Sequence, residues 1–235
     1  MTNLTANERR HAAAINEIRQ SRFLKSSSGD CEELDEPLEA YLPLYEHNED
    51  WDEVQLDDDL MECALRFTDL GAQWSTTDGL PEIYGEYRIL HFYDVFDQPE
   101  GPEPLPDATE FQRKFMSELR YFDMTPRSGA GMMTFVRMKP HVSPIEIWYH
   151  DISDIGGDPF PPGFVKMDIT YREYLDALLL TKGTYGWQYL YTDPSQSYGG
   201  LLSKVNYLKR MLDLFPEIFP QYDYTSLRER LEARL

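Results

Sequence analysis

A chain of 235 residues, 41% apolar and 14% aromatic, can build one sizeable core and is too aromatic for a disordered segment. Its formal charge of −20 argues against binding nucleic-acid phosphates or an anionic membrane surface, both of which need a cationic face. No apolar run approaches the roughly 18–20 residues that cross a bilayer, and MTNLTANERRHAAAINEIRQ has no apolar signal-peptide core.

In chain order, residues 6–21 predict a helix with Ala12–Ala14 as strong formers, and SSSGD at 26–30 predicts a break. An acidic stretch follows. Between Asp30 and Glu62 stand fifteen Asp or Glu residues and no Lys or Arg. It is expected to be irregular around Pro37 and Pro43. DDDLMECALRFTDLGAQW predicts a short helix, with acids at its positive end, Leu60, Ala64 and Phe67 on one face, and Gly71 as its stop. GEYRILHFYDVF (85–96) has strand composition, which would put Tyr87, Ile89, His91 and Tyr93 on one face. The four prolines of 97–108 predict a loop. Phe111, Phe115, Leu119 and Phe122 have helical spacing over 108–122.

GMMTFVRMK (131–139) and PIEIWYHDI (144–152) predict neighbouring strands, GGDPFPPG a loop, and FVKMDI (164–169) a third strand. Thr170 and Glu173 have capping-box spacing, and Ile169 and Tyr174 stand where a hydrophobic staple would. Tyr174, Leu175, Leu178 and Leu179 make a buried stripe, Lys182 suits the negative helix end, and Gly183 is the expected left-handed stop. Gly186 and Trp187 then turn the chain back into the core. Leu201, Val205, Leu208 and Leu212 predict one further helix and Leu227, Leu231 and Leu235 another. Strands dominate the middle and helices the end, which predicts an α+β fold, a mainly antiparallel central sheet flanked by helices.

Chemical motifs are few. KGTYG follows a helix, the wrong polarity for a phosphate loop, and no G-x-G-x-x-G or P-loop occurs. None of the five histidines forms H-E-x-x-H or pairs with cysteine at metal spacing. The acid run lacks the glycine of an EF-hand, and Ser128 is not in a nucleophile elbow. Cys31 and Cys63 sit among acids, which disfavours a thiolate, and their lack of pattern suggests a reduced, cytoplasmic setting. No cofactor is expected. One acid–base site is conceivable, with His91 and His150 facing each other across strands near Asp151.

The segment 131–193 resembles the SUKH superfamily. The resemblance rests on the strand pair MMTFVRMK and IEIWYHDI, a short strand, and the capped helix TYREYLDALLL ending in TKGTYGWQYLY. GLPEIYGEY (79–87) echoes part of the family's N-terminal pattern, and the acidic stretch before it is additional. The resemblance implies one SUKH-like domain over 1–235, with an acidic insertion at about 30–62 and C-terminal helices at about 201–235. It also implies no catalytic residues. Its bacterial members neutralise toxins delivered between competing cells, often nucleases, and its fungal members are regulatory interaction proteins.

The resulting expectation is a non-catalytic immunity protein that binds a basic toxin through its acidic surface; a regulatory interaction module is the alternative. Nuclease toxins carry cationic faces that such a surface would steer and cover. Candidate contact residues are Tyr41, Tyr45, Glu49, Asp50, Trp51, Asp52, Glu53, Asp57, Asp58 and Asp59, because Tyr and Trp anchor interfaces and acids match a basic partner.

Overall fold

The computed structural model describes residues 4–31, 33–154 and 157–235, the side chains of 196–198 excepted; Glu32 of the acidic stretch and Gly156 of GGDPFPPG lie outside the described residues. Seven strands form one sheet: β1 (Leu24–Cys31), β2 (Asp69–Thr76), β3 (Tyr84–Leu90), β4 (Leu119–Met124), β5 (Met133–Arg137), β6 (Glu146–His150) and β7 (Phe164–Met167). Each pairs antiparallel with its chain neighbours, so the sheet is a meander. The flanking helices among the described residues are α1 (Ala6–Gln20), α2 (Asp58–Cys63), α3 (Phe92–Phe96), α4 (Glu110–Ser117), α5 (Tyr171–Thr181), α6 (Pro194–Ile218) and α7 (Thr225–Glu232). The fold is α+β, with a central antiparallel sheet flanked by helices.

Side-chain alternation gives this sheet two cores. Val136, Ile147, Tyr149 and Met167 face the larger one, which also buries Ile15 of α1, Leu175 and Leu178 of α5, Leu208 of α6 and Leu227 of α7. Phe135, Trp148 and Phe164 face the smaller one, with Phe115 and Met116 of α4 and the half-buried Phe160. Burial on both faces is why MTFV and EIWY do not alternate cleanly between apolar and polar.

The segment after β7 folds as its local signals dictate. The Thr170 hydroxyl accepts from Glu173 N while the Glu173 carboxylate accepts from Thr170 N. The stop begins one residue earlier than expected: Lys182 adopts the left-handed conformation (φ 52°), and Gly183 follows at φ 70°. A side chain at Gly183 would place its Cβ 2.6 Å from the Tyr87 ring, so glycine is required by close approach as well as by φ. Lys182 does not project into solvent. It is fully buried, its Nζ 2.7 Å from the Glu17 carboxylate, above the rings of Phe219 and Tyr222. Gly186 (φ 79°) returns the chain inward, and Trp187 is 1% exposed.

Four sequence expectations need correction. SSSGD lies within β1, an edge strand, where Gly29 lets Ile15 and Arg19 of α1 pack closely. The helix of DDDLMECALRFTDLGAQW ends at Cys63. Gly71 is in β2 opposite Arg88, because strand pairing with β3 outweighs helical spacing there. The helix begun at 110 stops at Ser117; Leu119 and Phe122 belong to β4, where pairing with β5 claims them. The strand of 85–96 ends at Leu90, and His91 caps α3. In each case long-range pairing or a side-chain cap overrode a weak local preference.

Candidate protein-binding surface

Most of the acidic stretch is ordered by short turns. Pro37 and Pro43 each precede a 3-10 turn, Leu38–Tyr41 and Leu44–Glu46, in the extended conformation that proline favours. Leu38 and Leu44 anchor these turns in the main core. Their partners on the outer side are the half-buried Tyr41 and Tyr45, which is 49% exposed. In a third turn, Glu49–Trp51, the Asn48 side chain accepts from Asp50 N, and Trp51 points inward, 3% exposed, beneath the Arg120 guanidinium at 4.9 Å. Trp51 is thus a core anchor and not a contact side chain.

His91 joins this segment to the sheet. Its Nδ1 accepts from Tyr93 N at 3.1 Å, which leaves Nε2–H to donate to the Glu36 carbonyl at 3.1 Å. Burial lowers the pKa of His91 against the opposing pull of Asp35, so the neutral ring that this bonding needs is favoured at neutral pH. The cap brings Tyr93 to 5.0 Å from Tyr41, ring centroid to centroid, and 6.4 Å from His47. His47 in turn bonds through Nε2 to the Tyr41 carbonyl at 2.9 Å. Burial, and then the Asp35 carboxylate, push the Tyr41 hydroxyl up to about 12. Tyr41, His47 and Tyr93 form an aromatic patch within the acid-rich surface, and the exposed Leu42 and Tyr45 lie beside Tyr41 and His47 in the chain.

The acids divide into those with structural duties and those without. Asp57 caps α2 by accepting from Leu60 N. Asp59 and Glu62 both pair with Arg172 of α5, and Glu53 lies 3.1 Å from His141. Glu39, Glu46, Glu49, Asp50, Asp52 and Asp58 are exposed and make no ion pair with another described residue. Tyr93, Leu42 and His47 were not among the candidates read from sequence. The usable signal for Tyr93 is in HFYDVF: a capping-type residue, an acid in the first turn, and Phe92 and Phe96 at helical spacing.

The conceivable acid–base site does not assemble. His91 follows β3, while His150 ends β6, three strand spacings away, or at least about 14 Å across the sheet. Among the described residues no three His, Cys, Asp or Glu side chains gather as a metal would require. Burial pushes the Cys63 thiol up to about 12 and raises that of Cys31, which leaves both poor nucleophiles. No described helix is long and apolar enough to cross a membrane. Compared with family models, with curated proteins and with solved structures, the chain matches none.

Proposed function

We propose that this is a cytoplasmic, non-catalytic immunity-type protein that binds and neutralises a basic toxin. The contact surface is the acid-ringed aromatic patch of Tyr41, Tyr45 and Tyr93. The observation that carries this reading is the combination of solvent-reachable tyrosines with exposed acids that make no ion pair with another described residue. Exposed tyrosine rings accept stacked guanidinium groups, at about 0.5–1 kcal/mol each when solvated. Unpaired carboxylates attract a cationic partner from a distance and raise its association rate. The SUKH-like features of 131–193 favour the same reading by resemblance. The candidate contacts narrow to Tyr41, Tyr45, Glu49, Asp50, Asp52 and Asp58, joined by Tyr93, Glu39 and Glu46. Trp51 is buried against Phe96, whose ring also meets His47.

The test is co-purification with the proteins encoded beside this one, at low and high salt. A basic toxin is expected to bind, with an association rate that falls steeply as salt rises. Combining Tyr93→Ala with Glu46→Lys and Glu49→Lys is expected to weaken binding at least tenfold and flatten the salt dependence. Binding to no neighbouring protein at any salt sinks the proposal. Capture of a partner with no toxic activity through the same patch favours the regulatory module instead.

A further inference from the structure

On the opposite side of the sheet from the larger core, the loop-covered face contains a cavity of about 520 Å³. Its floor is apolar: Met133 and Phe135 of β5, Phe164 of β7 and Met116 of α4. Leu105 and Ile152 stand at its margin, 55% and 76% exposed, among the larger exposed apolar side chains of the molecule. Pro102, Pro161 and Pro162, from the two covering loops, complete its lining. Its size and lining match those of small-molecule sites, which are mostly apolar with a few polar groups that fix orientation.

The polar groups share one sign. The described lining includes three carboxylates, Glu103, Asp107 and Asp154, and no lysine or arginine. Asp154 is buried and accepts from the Tyr189 hydroxyl at 2.9 Å. Glu103 and Asp107 are exposed at the mouth. His150 completes the wall, its ring 4.5 Å from that of Phe164. Its N–H is directed at the Gly131 backbone, and burial favours the uncharged ring. A ligand with an anionic head would meet the like charges of Glu103 and Asp107 at the mouth, whereas a cationic head held there would be stabilised while its apolar body filled the floor.

We propose that this cavity is a binding site for an amphiphilic cation, an aliphatic or aromatic body bearing one protonated amine. The site is independent of the acidic aromatic patch and needs no toxin. Three probes of equal length separate the contributions: n-octylammonium, n-octanol and octanoate. The readout is the methyl resonances of carbon-13-labelled methionine, since Met116 and Met133 line the cavity and Met211 lies in the other core.

Octylammonium is expected to shift Met116 and Met133 saturably and leave Met211 unmoved, with octanoate binding at least tenfold more weakly and octanol between them. Met133→Trp fills the cavity and is expected to abolish binding of all three. Because that variant can fail to fold, Glu103→Lys with Asp107→Lys, both at exposed positions, provides a second arm: it is expected to weaken octylammonium about tenfold and strengthen octanoate. Equal affinity for octanol or octanoate overturns the proposal, as does a response that does not saturate or that Met211 shares. Tyr93→Ala is expected to leave octylammonium binding unchanged, so failure here is distinguishable from failure of the toxin reading.

Discussion

One sheet carries two cores, and they are closed by different means. The larger face is covered by α1, α5, α6 and α7, whose apolar stripes interdigitate with the strands; the smaller is covered by one short helix and two proline-bearing loops. The strands are equally apolar on both sides: Phe135 and Trp148 are as buried as Val136 and Ile147. The difference therefore lies in the cover. A helix presents a continuous ridge of side chains to a sheet, whereas a loop fixed by proline presents a few, and space is left between them. The larger face encloses ionisable groups; the smaller one leaves a cavity floored by its own strands.

The largest expected effect probes those enclosed groups. Burial, reinforced by Arg10 and Lys182, pushes His11 down to about 3. The folded ring stays neutral while the unfolded one titrates near 6.5. Stability present above pH 6.5 is therefore lost as pH falls toward 3, by up to about 5 kcal/mol at about 1.36 kcal/mol per unit. Asp123 acts in the opposite sense. Burial raises it to about 6 against the hydrogen bonds from Tyr174 and from Arg88 N. Its contribution is full below pH 3.8 and is lost as pH rises through 6, about 3 kcal/mol in all. Urea midpoints at pH 4, 6 and 8 should show His11→Gln flattening the acid limb. Asp123→Asn should gain about 1–2 kcal/mol at pH 8 and little at pH 4, since a neutral hydrogen bond replaces a charged one. An unchanged pH profile in both variants would place these groups in contact with solvent.

Packing on the two faces is compared by truncation. Trp187→Ala, in the helix-covered core, is expected to cost about 3–5 kcal/mol. Phe160→Ala, in the loop cover, should cost about 1 kcal/mol, because its site is already partly open. Equal losses in thermal or denaturant unfolding would mean that the loops cover their face as tightly as the helices do. The smallest effect belongs to the acidic surface: Tyr93→Ala and Glu46→Lys should each change stability by less than about 0.5 kcal/mol, measured without any partner. A larger loss for Tyr93→Ala would mark it as part of the core.

Legibility followed the range of the interactions involved. The α5 cap was readable because Thr170 and Glu173 satisfy each other within four residues, and the strands of MMTFVRMK and IEIWYHDI because both their faces are apolar. β4 has helical spacing in sequence, through Phe115, Leu119 and Phe122, and only pairing with β5 distinguishes the alternatives. The acid run was visible in sequence as charge, but its division was not. Asp57 and Asp59 look like Asp58 until a helix end claims one and Arg172 another. Trp51 likewise reads as an anchor for a partner until Arg120 covers it.

The sequence by itself determined the composition of the core, the acidic surface, the capped helix and the α+β order of elements, because these depend on residue type and on neighbours within a turn or two. Only the tertiary structure decided which acids remain unpaired, that Tyr93 joins Tyr41, that His91 and His150 lie apart, and that the second face of the sheet holds a cavity. Each of these depends on contacts between residues distant in the chain, whose geometry is set by how sheet and cover close on one another.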